Sequence, residues 1–160
     1  MRTLPWLTLF LMLLQSPAQA SDMTIADTVF KLPLAEDVTM DDAVDSMLLR
    51  ANALNFKLVA RLPLSKELDA MGVPSKHIEI FQFCDARIAA QMLKANLDFS
   101  AYLPCRITLI EDQDGKPWLV TLDLDQVIGM ADLPPDLKEL ATKVRDTMKE
   151  IMQAGANGDL

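Results

Sequence analysis

The chain has 160 residues, of which 51% are hydrophobic and 24% charged, and its formal net charge is −8. This composition, with five glycines, nine prolines and two cysteines, predicts a folded globular protein and excludes disordered, collagen-like and disulfide-dense chains. The acidic balance also excludes nucleic acid and anionic membrane surfaces as partners, because no stretch of the sequence is basic enough to overcome the negative field.

The first twenty residues predict a secretory signal peptide. Arg2 is followed by an apolar run over residues 4–14 and then by Ala18-Gln19-Ala20, and signal peptidase recognises this order of a positive charge, a short apolar segment and small residues. The apolar run is shorter than the roughly 18 residues that cross a bilayer as a helix. We therefore expect cleavage after Ala20 and a periplasmic or secreted protein.

Cleavage at this point removes Arg2 and no acidic residue, which leaves 14 basic and 23 acidic side chains and a formal charge of −9. The processed protein is predicted to be acidic, with no stable insertion into the membrane. No repeat, low-complexity tract or long linker follows the leader. Residues 21–153 are therefore predicted to form a single domain, and residues 154–160 a flexible tail.

Strand and helix patterns alternate along this domain. Stretches rich in aromatic and branched residues predict strands at 28–34, 56–64, 77–84, 105–111 and 118–124. Apolar residues at three- and four-residue spacing predict helices over 39–54, 85–95 and 135–153, and residues 65–72 form a further short helical turn. Thr39 and Asp85 are suited to cap the first two of these helices.

This order of elements predicts a two-layer α+β domain. It has a mostly antiparallel five-stranded sheet with helices on one face, in a ferredoxin-like order β-α-β-β-α-β followed by an extra strand and a C-terminal helix. The segment Asp112-Gln113-Asp114-Gly115 favours a hairpin between the last two strands, since Asp-Gly tolerates positive φ. It lacks the further oxygen ligands and the distal Glu of a calcium loop.

Two separated motifs mark the centre of the chain. The run Phe81-Gln82-Phe83-Cys84 ends before a predicted helix, and about twenty residues later Leu103-Pro104-Cys105-Arg106 opens the next strand. In order and interval these motifs resemble the bacterial family called domain of unknown function 302, with Cys84 and Cys105 at its two cysteine positions. Asp85-Ala86 stands here where many members have Asn-Pro.

The resemblance covers about Asp41 to Leu124. It implies a compact α+β fold that tends to pair as a homodimer, in a family whose biochemical role is not established. Together with the predicted signal peptide, this resemblance leads us to expect an exported member of that family.

Cys84 and Cys105 are candidate redox or ligand-binding residues. In an oxidising compartment a disulfide between them would stabilise the fold by about 3 kcal/mol in a chain-entropy treatment. If residues 77–84 and 105–111 are parallel strands joined by the helix after Asp85, however, the cysteines lie at opposite edges of the sheet, about 20 Å apart, whereas a disulfide needs Cα atoms within about 7 Å. Cys84 also precedes a helix, whose dipole favours a thiolate, while its apolar neighbours favour simple burial.

Arg106, Thr108, Thr121 and Asp123 are the other candidate ligand-binding residues. By strand alternation Arg106 and Thr108 point away from the face of Cys105, and we expect Thr121 and Asp123 of the adjoining strand to share their face. A guanidinium group beside hydroxyls and a carboxylate suits a small anion or a peptide carboxylate. A solvated outer face or a dimer contact explains the same residues.

The sequence predicts neither a catalytic residue nor a metal site. His77 is the only histidine, which excludes multi-histidine zinc and copper centres, and its odd separation from Cys84 places the two on opposite faces of a regular strand. The methionines of the predicted helices fall on the apolar stripes and are interpreted as core residues. Gly-x-Ser-x-Gly, His-Glu-x-x-His and phosphate-binding glycine motifs are missing, so hydrolytic enzymes are not supported.

Two functions are compatible with these patterns. The first is an exported, non-enzymatic small-ligand-binding or accessory protein, homodimeric, whose sheet face or dimer cleft holds a small ligand or a periplasmic protein partner. The alternative is a thiol-based redox or cofactor- or metal-handling protein that uses Cys84 and Cys105. The sequence identifies no cofactor.

Overall fold

Strands and helices alternate along residues 23–159, the part of the chain that this computed structural model describes. The predicted signal peptide, residues 1–20, lies outside the described residues. The strands are β1 (Val29–Pro33), β2 (Lys57–Leu62), β3 (Ile78–Cys84), β4 (Cys105–Glu111) and β5 (Pro117–Leu122). The α-helices are α1 (Met40–Ala53), α2 (Leu64–Ala70), α3 (Ala86–Ala95), α4 (Leu124–Met130) and α5 (Pro135–Asn157), and 3-10 helices cover Ile25–Thr28 and Leu97–Tyr102. Within the described part, every helix is too short or too polar to cross a membrane.

The five strands form one sheet in the order β1-β5-β4-β3-β2, and every neighbouring pair is antiparallel. The predicted α+β class with an antiparallel five-stranded sheet is therefore confirmed.

The predicted cap of α1 is also present. The Thr39 hydroxyl accepts a hydrogen bond from the amide of Asp42, and the Asp42 carboxylate accepts one from the amide of Thr39. This reciprocal cap begins α1.

The arrangement of β3 and β4 corrects one premise of the sequence analysis. These strands are antiparallel neighbours, with Phe83 directly opposite Cys105, so the parallel arrangement that separates the two cysteines is wrong. The physical reason is the connection between the strands. Helix α3 spans about 15 Å, and the following 3-10 helix packs back against it, so the chain returns to the end of the sheet that it left.

One face of the sheet is covered by helices, and we call it the inner face. Phe81 and Phe83 of β3, Ile107 and Leu109 of β4 and Leu119 of β5 alternate onto this face and are fully buried. Helices α1 and α5 pack against each other above them, and their fully buried side chains include Met47, Met148, Ile151 and Met152. The core therefore lies between one sheet face and one helical layer.

The C-terminal segment differs from its prediction as a flexible tail. Helix α5 continues to Asn157, and Ala154, Gly155 and Ala156 are buried. The carbonyl of Ala156 also accepts a hydrogen bond from the amide of Ala35 at 2.8 Å. These small residues allow α5 to approach α1 closely, and Gly158 ends the helix in the left-handed conformation at φ 69°.

The segment after β5 also differs. The fifth strand ends at Leu122 rather than at residue 124, and the Asp123 carboxylate caps α4 by accepting from the amide of Asp125 at 2.9 Å. Sequence reasoning missed α4 because a seven-residue helix shows too few turns for a periodic pattern.

Gly155 and Gly129 offer a matched test of the close approach between α1 and α5. A Cβ atom at Gly155 would lie 2.5 Å from Met47 Cγ and 3.1 Å from the Ala43 carbonyl oxygen, whereas a Cβ atom at Gly129 meets nothing within 4 Å. We expect Gly155→Ala to lower the free energy of unfolding by about 1–3 kcal/mol because of overpacking. Gly129→Ala is expected to raise it by up to about 1 kcal/mol through helix propensity. Urea denaturation of both variants measures their free energies of unfolding. A Gly155→Ala protein as stable as the wild type would contradict the close packing of α1 and α5.

Candidate functional site

The candidate site is a cavity of about 320 Å³ between the inner face and the helices. It lies where β3 ends and β4 begins, and α3, α4, α5 and the 3-10 helix Leu97–Tyr102 enclose it. We call it the apolar pocket. Its lining consists of Phe56, Cys84, Asp85, Ile88, Ala89, Met92, Phe99, Tyr102, Leu103, Cys105, Leu124, Val127, Ile128, Met130, Ala131, Leu133, Ala141 and Val144.

Local sequence explains how the walls of the pocket form. The Asp85 carboxylate accepts hydrogen bonds from the amides of Arg87 and Ile88 at 2.8 and 3.3 Å, so α3 begins directly after β3. One face of α3 then turns Ile88 and Met92 inward, and both are buried. Small side chains at Ala89 in α3 and Ala141 in α5 line the cavity, and they leave space that larger residues would fill.

Ion pairs between α4 and α5 position a second wall of the pocket. Asp125 of α4 pairs with Arg145 of α5 at 2.8 Å and also with Lys149. The Lys149 bond lowers the pKa of Asp125 most, and the Arg145 bond adds to this effect against the desolvation of the group, so the carboxylate is charged at neutral pH. These ion pairs tie α4 to α5, and Val127 and Ile128 of α4 then face the pocket.

The mouth of the pocket is defined by its most exposed lining residues. Met130 is 65% exposed and Tyr102 is 47% exposed, whereas Ile88, Met92 and Val144 are buried. The pocket therefore opens to solvent beside Tyr102 and Met130 and closes against α3, α5 and the sheet. An apolar molecule in it would be shielded on several sides while one end reaches water.

Both cysteines belong to this site. They are free thiols and line the same pocket, because the antiparallel pairing places Cys105 opposite Phe83, the residue before Cys84. Burial raises the pKa of Cys105 to about 11, and the neighbouring Cys84 contributes. Burial and then the charge of Asp85 raise the pKa of Cys84.

The thiolate expected for Cys84 at a helix N-terminus is therefore not favoured. The helix dipole attracts negative charge, but the Asp85 carboxylate already occupies the first amides of α3. Burial raises the pKa of Asp85, yet the bonds from Arg87, Ile88 and Asn55 outweigh it and lower that pKa. At neutral pH the site holds one capped carboxylate and two protonated thiols.

The four polar candidates do not form one cluster. Arg106 is exposed and Thr108 half-buried on the sheet face opposite Cys105, as predicted. Thr108 pairs with Val120, so alternation turns Thr121 to the inner side, where its hydroxyl donates to the Arg106 carbonyl at 2.7 Å. Asp123 caps α4. The expectation that all four share one face is wrong, because the register of β4 and β5 is offset by one residue from the assumed one.

His77 lies at the other end of β3 from the pocket. Its Nε2 atom is 3.8 Å from Glu79 Oε2, and Glu79, only 7% exposed, accepts two bonds from the Arg61 guanidinium at 2.6 and 3.0 Å. The Arg61 bond lowers the pKa of Glu79 against the effect of burial. This ion pair on the inner face is buried at Glu79 and half-exposed at Arg61. Among the described residues no three His, Cys, Asp or Glu side chains gather as a metal site would require.

Sequence reasoning found the two cysteines but not the pocket around them. The pocket needs α4 and the 3-10 helix Leu97–Tyr102, neither of which was predicted. The available signals were the Asn96 and Asp123 caps: Asn96 accepts from the amide of Asp98 at 2.8 Å, and Asp123 accepts from Asp125. Two Asx caps before short apolar segments are the pattern that would have indicated both turns.

The model of the family described as domain of unknown function DUF302 matches residues 30–155. The crystal structure of an uncharacterized conserved protein DUF302 from Bacillus stearothermophilus is similar, with 18% sequence identity and a TM-score of 0.68, over 79% of this chain and 97% of that chain. At this identity the similarity shows the fold alone. No curated protein matches this chain.

The raised pKa of Cys105 predicts a loss of stability at high pH. In the unfolded chain this thiol ionises near its ordinary value of 9.0, but in the folded protein it stays protonated up to about pH 11. The stabilisation is therefore fully present below pH 9 and is lost as the pH rises toward 11, by at most about 3 kcal/mol. Urea unfolding from pH 7 to 10 should show the wild type losing stability faster than Cys105→Ala, which has no thiol to ionise. Parallel pH curves for the two proteins would contradict a buried, protonated Cys105.

Proposed function

The chain belongs to the family described as domain of unknown function DUF302, and we propose that it is a non-enzymatic protein that binds a small apolar molecule in the apolar pocket. The observation that carries this proposal is the cavity of about 320 Å³, in which all lining residues except Cys84, Asp85, Tyr102 and Cys105 are apolar. Ligand sites are typically concave and mostly apolar, with a few polar groups that fix orientation.

The size of the pocket limits the ligand. A cavity of roughly 150 Å³ holds one benzene molecule, so this pocket has room for about twice that, such as two fused rings or a short acyl chain. Tyr102 at the mouth offers a hydroxyl to one polar group of the ligand. The proposed ligand is therefore a neutral molecule with an apolar body and one polar end.

The polar groups of the lining favour binding over chemistry. A cysteine nucleophile acts as the thiolate, and a carboxylate base needs an oxygen free to take up a proton. Both thiols have raised pKa values, and the Asp85 carboxylate accepts bonds from two backbone amides and Asn55. Cys84, Asp85 and Cys105 therefore form one end of the pocket wall without offering a reactive group.

The place of action is part of the same proposal. The N-terminal charge, apolar run and Ala18-Gln19-Ala20 support a periplasmic or secreted binding or accessory protein. The homodimer that the family resemblance implies stays a prediction.

Binding is tested with 2-naphthol, which has two fused rings and one hydroxyl, by isothermal titration calorimetry. We expect one site with a dissociation constant of about 10–1000 μM, since small ligands gain only a limited free energy per atom. Ala89→Leu places extra carbons in the pocket and is expected to weaken binding by about tenfold or more. Ala90→Leu adds the same carbons on the exposed side of α3 and should bind like the wild type. Equal affinity of both variants, or no binding by a folded wild type, would refute the proposal.

The second candidate function, a thiol-based one, is favoured by one observation. Neighbouring strands lie about 4.8 Å apart and rise about 3.3 Å per residue, and Cys84 is one residue beyond the partner of Cys105. Their Cα atoms are then about 6 Å apart, within the Cα range of disulfides, and bond formation further requires the end of β3 to twist Cys84 toward Cys105, because alternation points Cys84 and Phe83 to opposite faces. In this alternative the two thiols exchange with a small disulfide such as oxidised glutathione, which yields one protein disulfide and two glutathione thiols.

Oxidation of the native protein tests this alternative. After incubation with oxidised glutathione at pH 8, denaturation and alkylation with iodoacetamide, we expect no alkylated cysteine until a reductant is added. Cys105→Ala, which has no resolving thiol, should instead carry glutathione on Cys84, the less buried thiol, under the same conditions. If both cysteines of the wild type are alkylated after this incubation without a reductant, the thiol-based alternative is refuted and the binding proposal is unaffected.

A further inference from the structure

The sheet face opposite the inner face is apolar at its centre, and we call it the open face. Strand alternation assigns to it Ile78 and Ile80 of β3, Ile110 of β4, and Trp118 and Val120 of β5, which are half-buried. None of them belongs to the core or to the partly buried residues packed against it. Most buried residues of α1, α3, α4 and α5 belong to the core on the inner face, and the contacts of Gly155 with Met47 and Leu119 show this directly for α5.

Most charged side chains of the open face are basic, and Asp112, whose carboxylate accepts a bond from Trp118, is the acidic group beside them. Lys31 and Lys116 lie over the Trp118 ring, with their Nζ atoms 5.3 and 5.0 Å from its centre, and Arg106 is exposed at the other end of β4. The carboxylates of the strands, Glu79 and Glu111, alternate onto the inner face.

The cations of the open face form no ion pair. In the described part of the chain neither Lys31, Lys116 nor Arg106 has a carboxylate within 4 Å, as is also true of Lys94, Lys138 and Lys143 in the helical layer, whereas Arg50, Arg145 and Lys149 are paired. The nearby Asp112 carboxylate is held at the hairpin by Trp118 Nε1 at 2.8 Å and by the amides of Lys116 and Asp114. Three cations without an ion pair thus surround one apolar surface of an acidic protein.

From this distribution we infer that the open face docks an acidic, partly apolar segment of another polypeptide, with apolar side chains on the Ile and Trp centre and carboxylates on Lys31, Lys116 and Arg106. Charge complementarity selects this partner. A second copy placed face to face brings the same cations together. An extended anionic bilayer repels the whole chain, whose net charge is −8.

Trp118 provides the readout, because Trp6 is the other tryptophan of the chain. In full-length protein with Trp6→Phe, the fluorescence of Trp118 is titrated with a short peptide of alternating Val and Glu, and separately with one of alternating Val and Lys. We expect the Glu peptide to change the emission with saturation and to lose affinity as salt rises. The triple variant Lys31→Gln, Arg106→Gln, Lys116→Gln is expected to bind it about tenfold more weakly. The control Lys94→Gln, Lys138→Gln, Lys143→Gln, with the same net charge but changes in the helical layer, should bind within about twofold of the parent.

Three results would overturn the inference. One is equal binding of the two peptides, or an unchanged affinity in the triple variant. Another is a concentration-dependent dimer, seen by sedimentation, that shields Trp118 and excludes the Glu peptide, since a second copy then occupies the face. The third is a Trp118 response to phosphatidylglycerol vesicles without any response to the Glu peptide. Because 2-naphthol binding reports on the other side of the sheet, failure here leaves the apolar pocket untouched.

Discussion

The antiparallel pairing of β3 with β4 is the constraint on which the rest of this molecule depends. These central strands place Phe81 opposite Ile107 and Phe83 opposite Cys105, so the largest buried side chains meet at the middle of the inner face. The same register brings the end of β3 beside the start of β4, which is where the apolar pocket forms. A slip by one residue would turn the apolar residues of a strand to the other face and remove both the core and the pocket.

The two faces of the sheet present different chemistry to their surroundings. On the inner face, burial is nearly complete, and a charged group such as Glu79 is held by two hydrogen bonds from Arg61. The pocket remains on this face because small side chains, including Ala89 and Ala141, line it. On the open face, apolar residues are only half-buried and cations stand without carboxylate partners in the described residues. One fold thus supports two separate binding proposals, one for a small apolar molecule and one for an acidic polypeptide.

The electrostatics of the pocket follow from a competition at the start of α3. A helix N-terminus stabilises a nearby anion, and both Cys84 and Asp85 are positioned to use it. Asp85 does so, because its carboxylate accepts from the amides of Arg87 and Ile88, and its charge then raises the pKa of Cys84 together with burial. The cysteines are therefore kept as thiols, which suits an apolar lining. Oxidation of the pair needs an external disulfide rather than a pre-formed thiolate.

The sequence by itself determined the five strands, the longer helices and the fold class, because cap residues such as Thr39 and Asp85 and the apolar periodicity of α1 and α5 act over a few residues. It also located Cys84 and Cys105 through two spaced motifs. Only the tertiary structure decided that β3 and β4 are antiparallel, that Thr121 faces away from Arg106, and that Ala154, Gly155 and Ala156 belong to the core. Pairing, register and close helix packing join residues far apart in the chain, and small residues such as Gly155 carry no hydrophobic pattern that would reveal their burial in advance.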